Sequence, residues 1–290
     1  MAPQLVGYLT VLSLYFGVSA AVIAHNHNHS PTFSGRRAND WFGKVLSIFY
    51  GYPTFAWIPT HNLNHHKWVN KPGDATITWR FSNRHNLLIA STYFFVSAFY
   101  QRDPIQQFVA KAKASNPKIH RMIRGQLAFW AAANISLLAI AVGLHGVGEG
   151  LRVWFFATVL PAVFALWTVH LFNYEQHVHT DPWSEYNHSR NFTSPALNFL
   201  LFNNGYHTAH HEQAGLHWSK LPELDARLAG FIDPALRERS LWWYWFRQYV
   251  LAPLWPAMGT RQLGRAPFDT EKLDLATDDV EAVNGNSARA

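Results

Sequence analysis

The sequence predicts an all-α integral membrane protein with about three to four transmembrane helices and additional interfacial helices. Apolar residues make up 49% of the 290 residues and charged residues only 14%, about half the usual charged share. The chain also has 13 Trp, 11 Tyr and 21 Phe, and aromatic side chains are enriched where proteins meet the faces of a bilayer. Three apolar runs are long enough to cross a bilayer as helices.

The N-terminal third of the chain contains the first predicted span and two shorter apolar segments. Residues 3–24 carry no charge, and we predict a retained span because the basic segment that opens a signal peptide is missing. Residues 43–59 are interrupted by Gly51 and Pro53 and are predicted to be interfacial or re-entrant. The segment 86–100 is also shorter than a helix that crosses the bilayer normally is, and it is predicted to be interfacial.

Two further apolar runs, 126–148 and 152–173, are predicted to form a transmembrane hairpin. The segment Glu-Gly-Leu at 149–151 is predicted to make its turn, and Pro161 is expected to kink the second helix. Basic residues cluster before the hairpin and predict a cytoplasmic location for that side of the membrane; they are Arg102, Lys111, Lys113, Lys118, Arg121 and Arg124. This orientation places the N-terminus outside.

The remainder of the chain is more polar. Residues 174–240 are predicted to be loop-like with short helices, and the aromatic segment 241–255 is predicted to be an interfacial helix. We therefore expect one membrane domain over residues 1–262. The segment 263–290 is expected to be a disordered acidic tail; its acids include Asp269, Glu271, Asp274, Asp278, Asp279 and Glu281.

Composition also excludes several kinds of site and partner. The chain has no cysteine, which excludes disulfides, thiolate nucleophiles, iron–sulfur clusters and cysteine-bound zinc. The net charge of +6 is not accompanied by a nucleic-acid-binding motif. An anionic membrane surface or an acidic redox partner therefore fits the charge better than nucleic acid does.

Three short segments are unusually rich in histidine, and all three fall on the predicted cytoplasmic face. Each segment contains histidines three or four residues apart, which share a face of a helix, so each segment can aim two or three imidazoles at one point. They are His25 and His29; His61, His65 and His66; and His207, His210 and His211. One zinc takes about four ligands, so eight convergent imidazoles indicate two metal ions in a histidine-rich cap. Imidazole suits iron, copper or zinc, and the absence of thiolates disfavours Cu(I).

The spacings H-x3-H, H-x3-H-H and H-x2-H-H, in this order, resemble the three histidine boxes of the membrane fatty acid desaturase and hydroxylase superfamily. The resemblance extends over roughly residues 5 to 220 and includes an Asn-x3-His pair, Asn173 and His177. It implies two non-haem irons held by about nine histidines. By this resemblance His177 is a direct ligand and Asn173 holds an iron through water, with no catalytic residue beyond the metal ligands.

The resemblance implies an O2-dependent desaturase that inserts a double bond into a long apolar chain, carried as an acyl-lipid or an acyl-thioester. A hydroxylase or an alkene-forming oxidative decarboxylase is the first alternative, and a non-catalytic metal transporter the second. A transporter should carry ionisable residues in mid-membrane, and the hairpin has almost none. No haem or iron–sulfur motif is present, so electrons must come from an external carrier of ferredoxin, rubredoxin or cytochrome b5 type with its reductase.

The other polar residues near the boxes have weaker assignments. Metal-bound imidazoles usually donate their second N–H to a carboxylate or a carbonyl. Four acids near the boxes are candidates for this role, and an ordinary solvated acid is at least as common an alternative for each; they are Asp74, Asp181, Glu185 and Glu212. His27, His170 and His179 are predicted to support the site or the fold. The isolated histidines are predicted to be ordinary surface or packed residues; they are His85, His120, His145, His188 and His217.

Overall fold

A computed structural model of the chain describes residues 3–268 and shows a helical protein, as the sequence predicts. Strand structure within these residues is limited to β1 (Asn191–Phe192) and β2 (Arg237–Glu238), which pair in parallel. The acidic segment 269–290 lies outside the described residues. The N–H of Leu263 donates to the carbonyl of His179, so the start of the predicted tail contacts the membrane domain.

The first part of the structure is a long helix followed by a short one. Helix α1 (Pro3–His29) is apolar and ends with the first histidine pair, and α2 (Arg36–Tyr50) ends at Gly51. Gly51 has φ 86°, a left-handed conformation that glycine adopts without strain. A Cβ at Gly17 would lie 2.9 Å from the carbonyl oxygen of Pro161, so the absence of a side chain lets α1 approach a later helix closely.

The second histidine segment lies on an unusual helix. A 3₁₀ turn (Thr54–Ala56) leads into a π-helix (Ile58–His65), which continues into the short helix α3 (His66–Trp68). π-Helical segments are rare and often occur at functional sites. The chain then forms a loop over residues 69–86.

Two long helices, α4 (Leu87–Ser115) and α5 (Pro117–His145), come next and meet at Asn116. The side chain of Asn116 accepts the N–H of Ile119 and so caps α5. Both helices extend beyond the predicted apolar segments 86–100 and 126–148 into the basic segment 102–124, which is helical apart from Asn116. Helix α4 is not one of the three helices that are long and apolar enough to cross a membrane.

The second half of the hairpin runs from Val147 to His177. It consists of α6 (Val147–Trp154), a π-helical turn (Phe155–Val159) and α7 (Leu160–His177). The π-helical turn precedes Pro161, which cannot donate a backbone N–H to the preceding turn. The turn of the hairpin lies at Gly146, with φ 74°, so the prediction of a turn at 149–151 is wrong; those residues are helical.

Within residues 3–268, three helices satisfy the requirements of a membrane span by length and composition: Tyr8–His29, Pro117–His145 and Val147–His177. This confirms the predicted membrane class and agrees with the lower number of predicted spans. The remaining segments are short. They are α8 (Pro195–Leu200), α9 (His207–Glu212), a 3₁₀ turn (Trp218–Lys220), α10 (Leu221–Leu228), a 3₁₀ turn (Pro234–Leu236), α11 (Leu241–Phe246), a π-helical turn (Arg247–Leu251) and a 3₁₀ turn (Pro256–Met258).

Candidate metal centre

Eight histidines converge into two groups that have the composition of metal sites. One group is His25, His29, His61 and His210, and the other is His65, His177, His207 and His211. In each group one ring nitrogen per residue lies within 4.8 Å of the others. The groups combine residues from α1, the π-helix, α7 and α9, so the fold brings together all three histidine segments and His177.

The ring nitrogens of the first group are spaced like ligands of one ion. The Nε2 atoms of His25 and His61 are 2.9 Å apart. The Nε2 atom of His66 lies 3.1 Å from that of His61 and 3.0 Å from that of His210. Neighbouring ligands with metal–nitrogen bonds of about 2.1 Å lie roughly 3.0 to 3.4 Å apart. His66 is therefore placed to complete the first group as a fifth imidazole.

The second group has the same spacing. The Nε2 atom of His177 lies 3.1 Å from that of His65 and 2.9 Å from that of His207. The Nε2 atoms of His207 and His211 are 3.2 Å apart. All nine predicted histidine ligands thus lie in one cluster with two centres.

The histidines of one sequence segment do not all serve the same group. His61 and His66 belong to the first group, whereas His65 belongs to the second. The third segment is divided as well, because His210 belongs to the first group and His207 and His211 belong to the second. The expectation that each segment aims at a single point is therefore wrong for the second and third segments, because within each segment some rings face the histidines of α1 and others face the histidine of α7.

A buried nitrogen without a protein partner supports occupation of the first group by a metal. The unpartnered ring atoms in residues 3–268 include His29 Nε2. A buried polar atom without a partner loses its hydration without compensation. The Nε2 atom of His29 faces the first group, where a bound cation would satisfy it.

Burial keeps the imidazoles of the two groups in the form that can bind a metal. Desolvation, together with the neighbouring rings, holds the pKa of His61, His207, His210 and His211 well below its ordinary value. A neutral ring keeps a lone pair for coordination. The donor set, which is all imidazole in the described residues, fits iron without requiring a cysteine.

A buried carboxylate orients one of the candidate ligands. The Nδ1–H of His65 donates to Oδ2 of Asp74 across 2.8 Å, which leaves Nε2 free for a metal. Burial raises the pKa of Asp74, but the His65 ring and hydrogen bonds from His65, Thr76 and Asn70 outweigh it and lower the pKa. Asp74 therefore stays ionised, as the partner of a metal-bound imidazole should.

The Asn173 side chain lies one helical turn before His177 on α7. Its amide nitrogen donates to the hydroxyl of Tyr93 across 2.9 Å, and its oxygen accepts no hydrogen bond from residues 3–268. Asn173 also lines the cavity described below. Its role as an outer contact through water stays a prediction.

An apolar cavity of about 560 Å³ extends from the histidines, within the usual range of ligand pockets. His25, His61 and His207 form part of its wall at the metal end. Most of the remaining wall is aromatic or aliphatic; it includes Val22, Tyr50, Trp57, Phe94, Ala98, Phe99, Ile105, Leu166, Val169 and Phe172. The exposed side chain of Arg102 lines the cavity together with Tyr52 and Gln106.

Sequence reasoning did not identify a buried polar network on the opposite side of α7. Glu175 is fully buried and accepts hydrogen bonds from Tyr244 and Tyr249, while the ring of His85 lies 3.2 Å from its Oε2 atom. The guanidinium of Arg190 donates to the carbonyls at 175 and 178. This network holds the end of α7, and with it His177, in place.

The other histidines have supporting or unrelated positions. The carbonyl of His188 accepts the Nδ1–H of His177 across 3.0 Å, so His188 supports the site although the sequence suggested an ordinary residue. His85 and His179 both contact Thr260. His170 lies in the cavity wall, and no contact joins it, His120, His145 or His217 to either histidine group among residues 3–268.

Comparisons with known proteins agree with this geometry. Residues 2–244 match the family model described as fatty acid desaturase. A sphingolipid delta(4)-desaturase of Candida albicans is 41% identical over 54 residues. That alignment covers 17% of this chain and 15% of the relative, so the chain spans a small part of the relative's length. No solved structure matches. The family model covers most of the chain, which therefore belongs to the fatty acid desaturase family.

Proposed function

We propose that the protein is an O2-dependent membrane desaturase that uses two non-haem irons to insert a double bond into a long apolar chain. Family membership supports a lipid desaturase-type oxidoreductase. The proposal of two irons that act on a long apolar chain is supported by one observation: the two imidazole groups lie at one end of an apolar cavity. His25, His29, His61, His66 and His210 would hold one iron; His65, His177, His207 and His211 would hold the other, with Asn173 in contact through water.

The protein contributes placement and exclusion of water. When bound, the two irons would supply activation of O2 and the removal of two hydrogens from neighbouring carbons. The balance requires two electrons and two protons from outside, and it releases two waters and the alkene. Aromatic side chains such as Trp57 and Phe172 exclude bulk water from the chain, while Asp74 keeps His65 in the tautomer that presents Nε2.

The lipid would lie with its apolar chain inside the cavity and its head group beside Arg102 and Tyr52. We place the metal centre on the cytoplasmic side, because the basic residues of α4 and α5 lie outside the apolar parts of the spans. This basic surface is our candidate docking site for an acidic electron carrier of ferredoxin, rubredoxin or cytochrome b5 type. Its residues are Arg102, Lys111, Lys113, Lys118, Arg121 and Arg124.

The decisive experiment is product analysis with the purified protein in nanodiscs. Acyl-lipids and acyl-thioesters are supplied with an electron carrier, its reductase and O2, and the products are identified by mass spectrometry. Loss of two hydrogens supports the proposal. An alcohol or a terminal alkene would assign a hydroxylase or a decarboxylase instead, and no O2-dependent product in an iron-loaded preparation would contradict the proposal.

A further inference from the structure

One polar pair interrupts the apolar wall of the cavity. Gln101 on α4 and His170 on α7 both line the cavity, and their side chains meet with Gln101 Nε2 2.7 Å from His170 Nε2. The ring of Phe94 packs against His170. Neither Gln101 nor His170 contacts a histidine of the two metal groups, so the pair is not explained by metal binding.

The backbone fixes the tautomer of His170. Its Nδ1 atom lies 2.7 Å from the carbonyl oxygen of Leu166, and a carbonyl oxygen can only accept. The proton is therefore on Nδ1. No carboxylate contacts this ring among residues 3–268, so the imidazole is neutral and its Nε2 atom is an acceptor.

The tautomer in turn fixes the orientation of the Gln101 amide. Because His170 Nε2 accepts, the Gln101 atom facing it is the NH2 group, which also donates to Ser97 Oγ across 2.9 Å. The reversed amide would set two acceptor lone pairs against each other at 2.7 Å. Both N–H groups of Gln101 are thus used. Its Oε1 atom accepts no hydrogen bond from residues 3–268.

We propose that Gln101 Oε1 accepts a hydrogen bond from a hydroxyl or amide N–H group of the lipid substrate. The substrate would then be a long-chain lipid whose hydrogen-bond donor lies close to the carbons that react, and Gln101 would be a specificity-determining residue. This inference rests on the proposed function. His170 precedes His177 by seven positions, about 10 Å along the helix. The hydrogen-bond donor of the lipid would therefore lie on the order of 10 Å from the metal centre.

A lipid without such a donor would occupy the cavity less favourably. It would cover Gln101 Oε1 with hydrocarbon and displace any water there, which leaves a buried acceptor unpaired. The hydrogen bond of a neutral donor is expected to change affinity by about three- to tenfold.

The test compares two lipids that differ in the donor alone. N-methyloctadecanamide carries one N–H group, and methyl octadecanoate carries none. Their affinities for the metal-loaded protein in detergent are measured by displacement of a fluorescent fatty acyl lipid. We expect the wild type to bind the amide about three to ten times more tightly than the ester. In Gln101→Leu this preference should disappear, because the acceptor is gone.

Two further variants control for general effects. Gln107→Leu makes the same change at an exposed position of α4 that does not line the cavity, and it should keep the preference. Gln101→Met replaces the amide by an unbranched apolar side chain of similar length and covers the case in which Gln101→Leu fails to fold. Equal binding of both lipids by the wild type overturns the inference, as does a preference that survives in Gln101→Met or Gln101→Leu.

The same experiment separates this inference from the proposed function. Binding requires no turnover, so a wild type that prefers the amide but forms no double bond would leave the inference standing and remove the desaturase proposal. A wild type that desaturates both lipids and binds them equally would leave the desaturase proposal standing and remove the role of Gln101.

Discussion

The Nδ1–H of His65 donates to Oδ2 of Asp74 across 2.8 Å, and both side chains are almost fully buried. The same carboxylate accepts the backbone N–H groups of Asn70 and Thr76. Asp74 therefore joins the loop after α3 to a predicted ligand of the second histidine group. Its removal should affect metal binding although it touches no metal.

We predict that Asp74→Asn weakens metal binding at the second group or lowers turnover by about 10- to 100-fold. An amide can present N–H toward His65 and then favours the tautomer that carries its proton on Nε2. Metal content after dialysis and the rate of product formation measure the effect. Glu223→Gln, which changes an exposed acid paired with Lys220, is the control and should resemble the wild type.

The two histidine groups predict two bound metal ions, iron in the active protein, within about 7 Å of each other, wider than the ~4 Å of bridged two-metal sites. Elemental analysis should give two irons per chain, and X-ray absorption should show nitrogen ligands without sulfur. One ion per chain in a fully active preparation would contradict the two-group assignment.

We predict that His65→Ala and His210→Ala each abolish turnover while the protein still inserts into the membrane. Each change removes one ligand from a different group, whereas the apolar spans are unchanged. Turnover and membrane-fraction content are measured together. His120→Ala, on α5 and without a contact to either group, should be close to neutral; substantial activity in His65→Ala would refute its assignment as a ligand.

Replacing Asn173 and replacing His177 should have different effects, although the two residues lie one turn apart on α7. An amide oxygen can accept from a metal-bound water but supplies no anionic ligand. Asn173→Ala should therefore lower the rate by about 10- to 100-fold and keep both metals. His177→Ala should lose one metal and all turnover. The two variants are compared by metal content and rate, and full activity in His177→Ala would remove it from the site.

The stability of the metal-free protein should fall as the pH drops below about 6.5. In the folded state burial holds the pKa of His61, His207 and His210 well below 6.5. In the unfolded chain these rings bind protons as the pH falls through that value, so the unfolded state gains protons that the folded state does not. Each ring contributes up to ~1.4 kcal/mol per pH unit.

Thermal unfolding in detergent at pH values from 8 to 5 checks this dependence. The midpoint should stay nearly constant above the ordinary histidine pKa and decline below it. Bound metal adds a second dependence in the same direction, because protons compete for the ligand nitrogens. A midpoint of the metal-free protein that rises on acidification would contradict buried neutral imidazoles.

The sequence predicts the membrane class because an apolar run indicates a span directly. The convergence of the histidines follows from the predicted topology, which places all three segments at one face of the membrane. The division of the second and third segments between two groups could not be predicted from their spacing, because it depends on which rings face the histidines of α1 and which face His177 of α7. The Glu175 network could not be predicted from the sequence either, since its partners His85 and Tyr249 are 90 and 74 positions away from Glu175.

Neither histidine group is complete at the end of the third candidate span. The first group requires His210, and the second requires His207 and His211, which follow every candidate span. During synthesis the spans therefore reach the bilayer before either complete ligand set exists. Under the proposed metal assignment, loading would consequently be a late step in biogenesis, and a nascent chain stopped between α7 and α9 would have the three candidate spans of residues 3–268 but neither full set of predicted ligands.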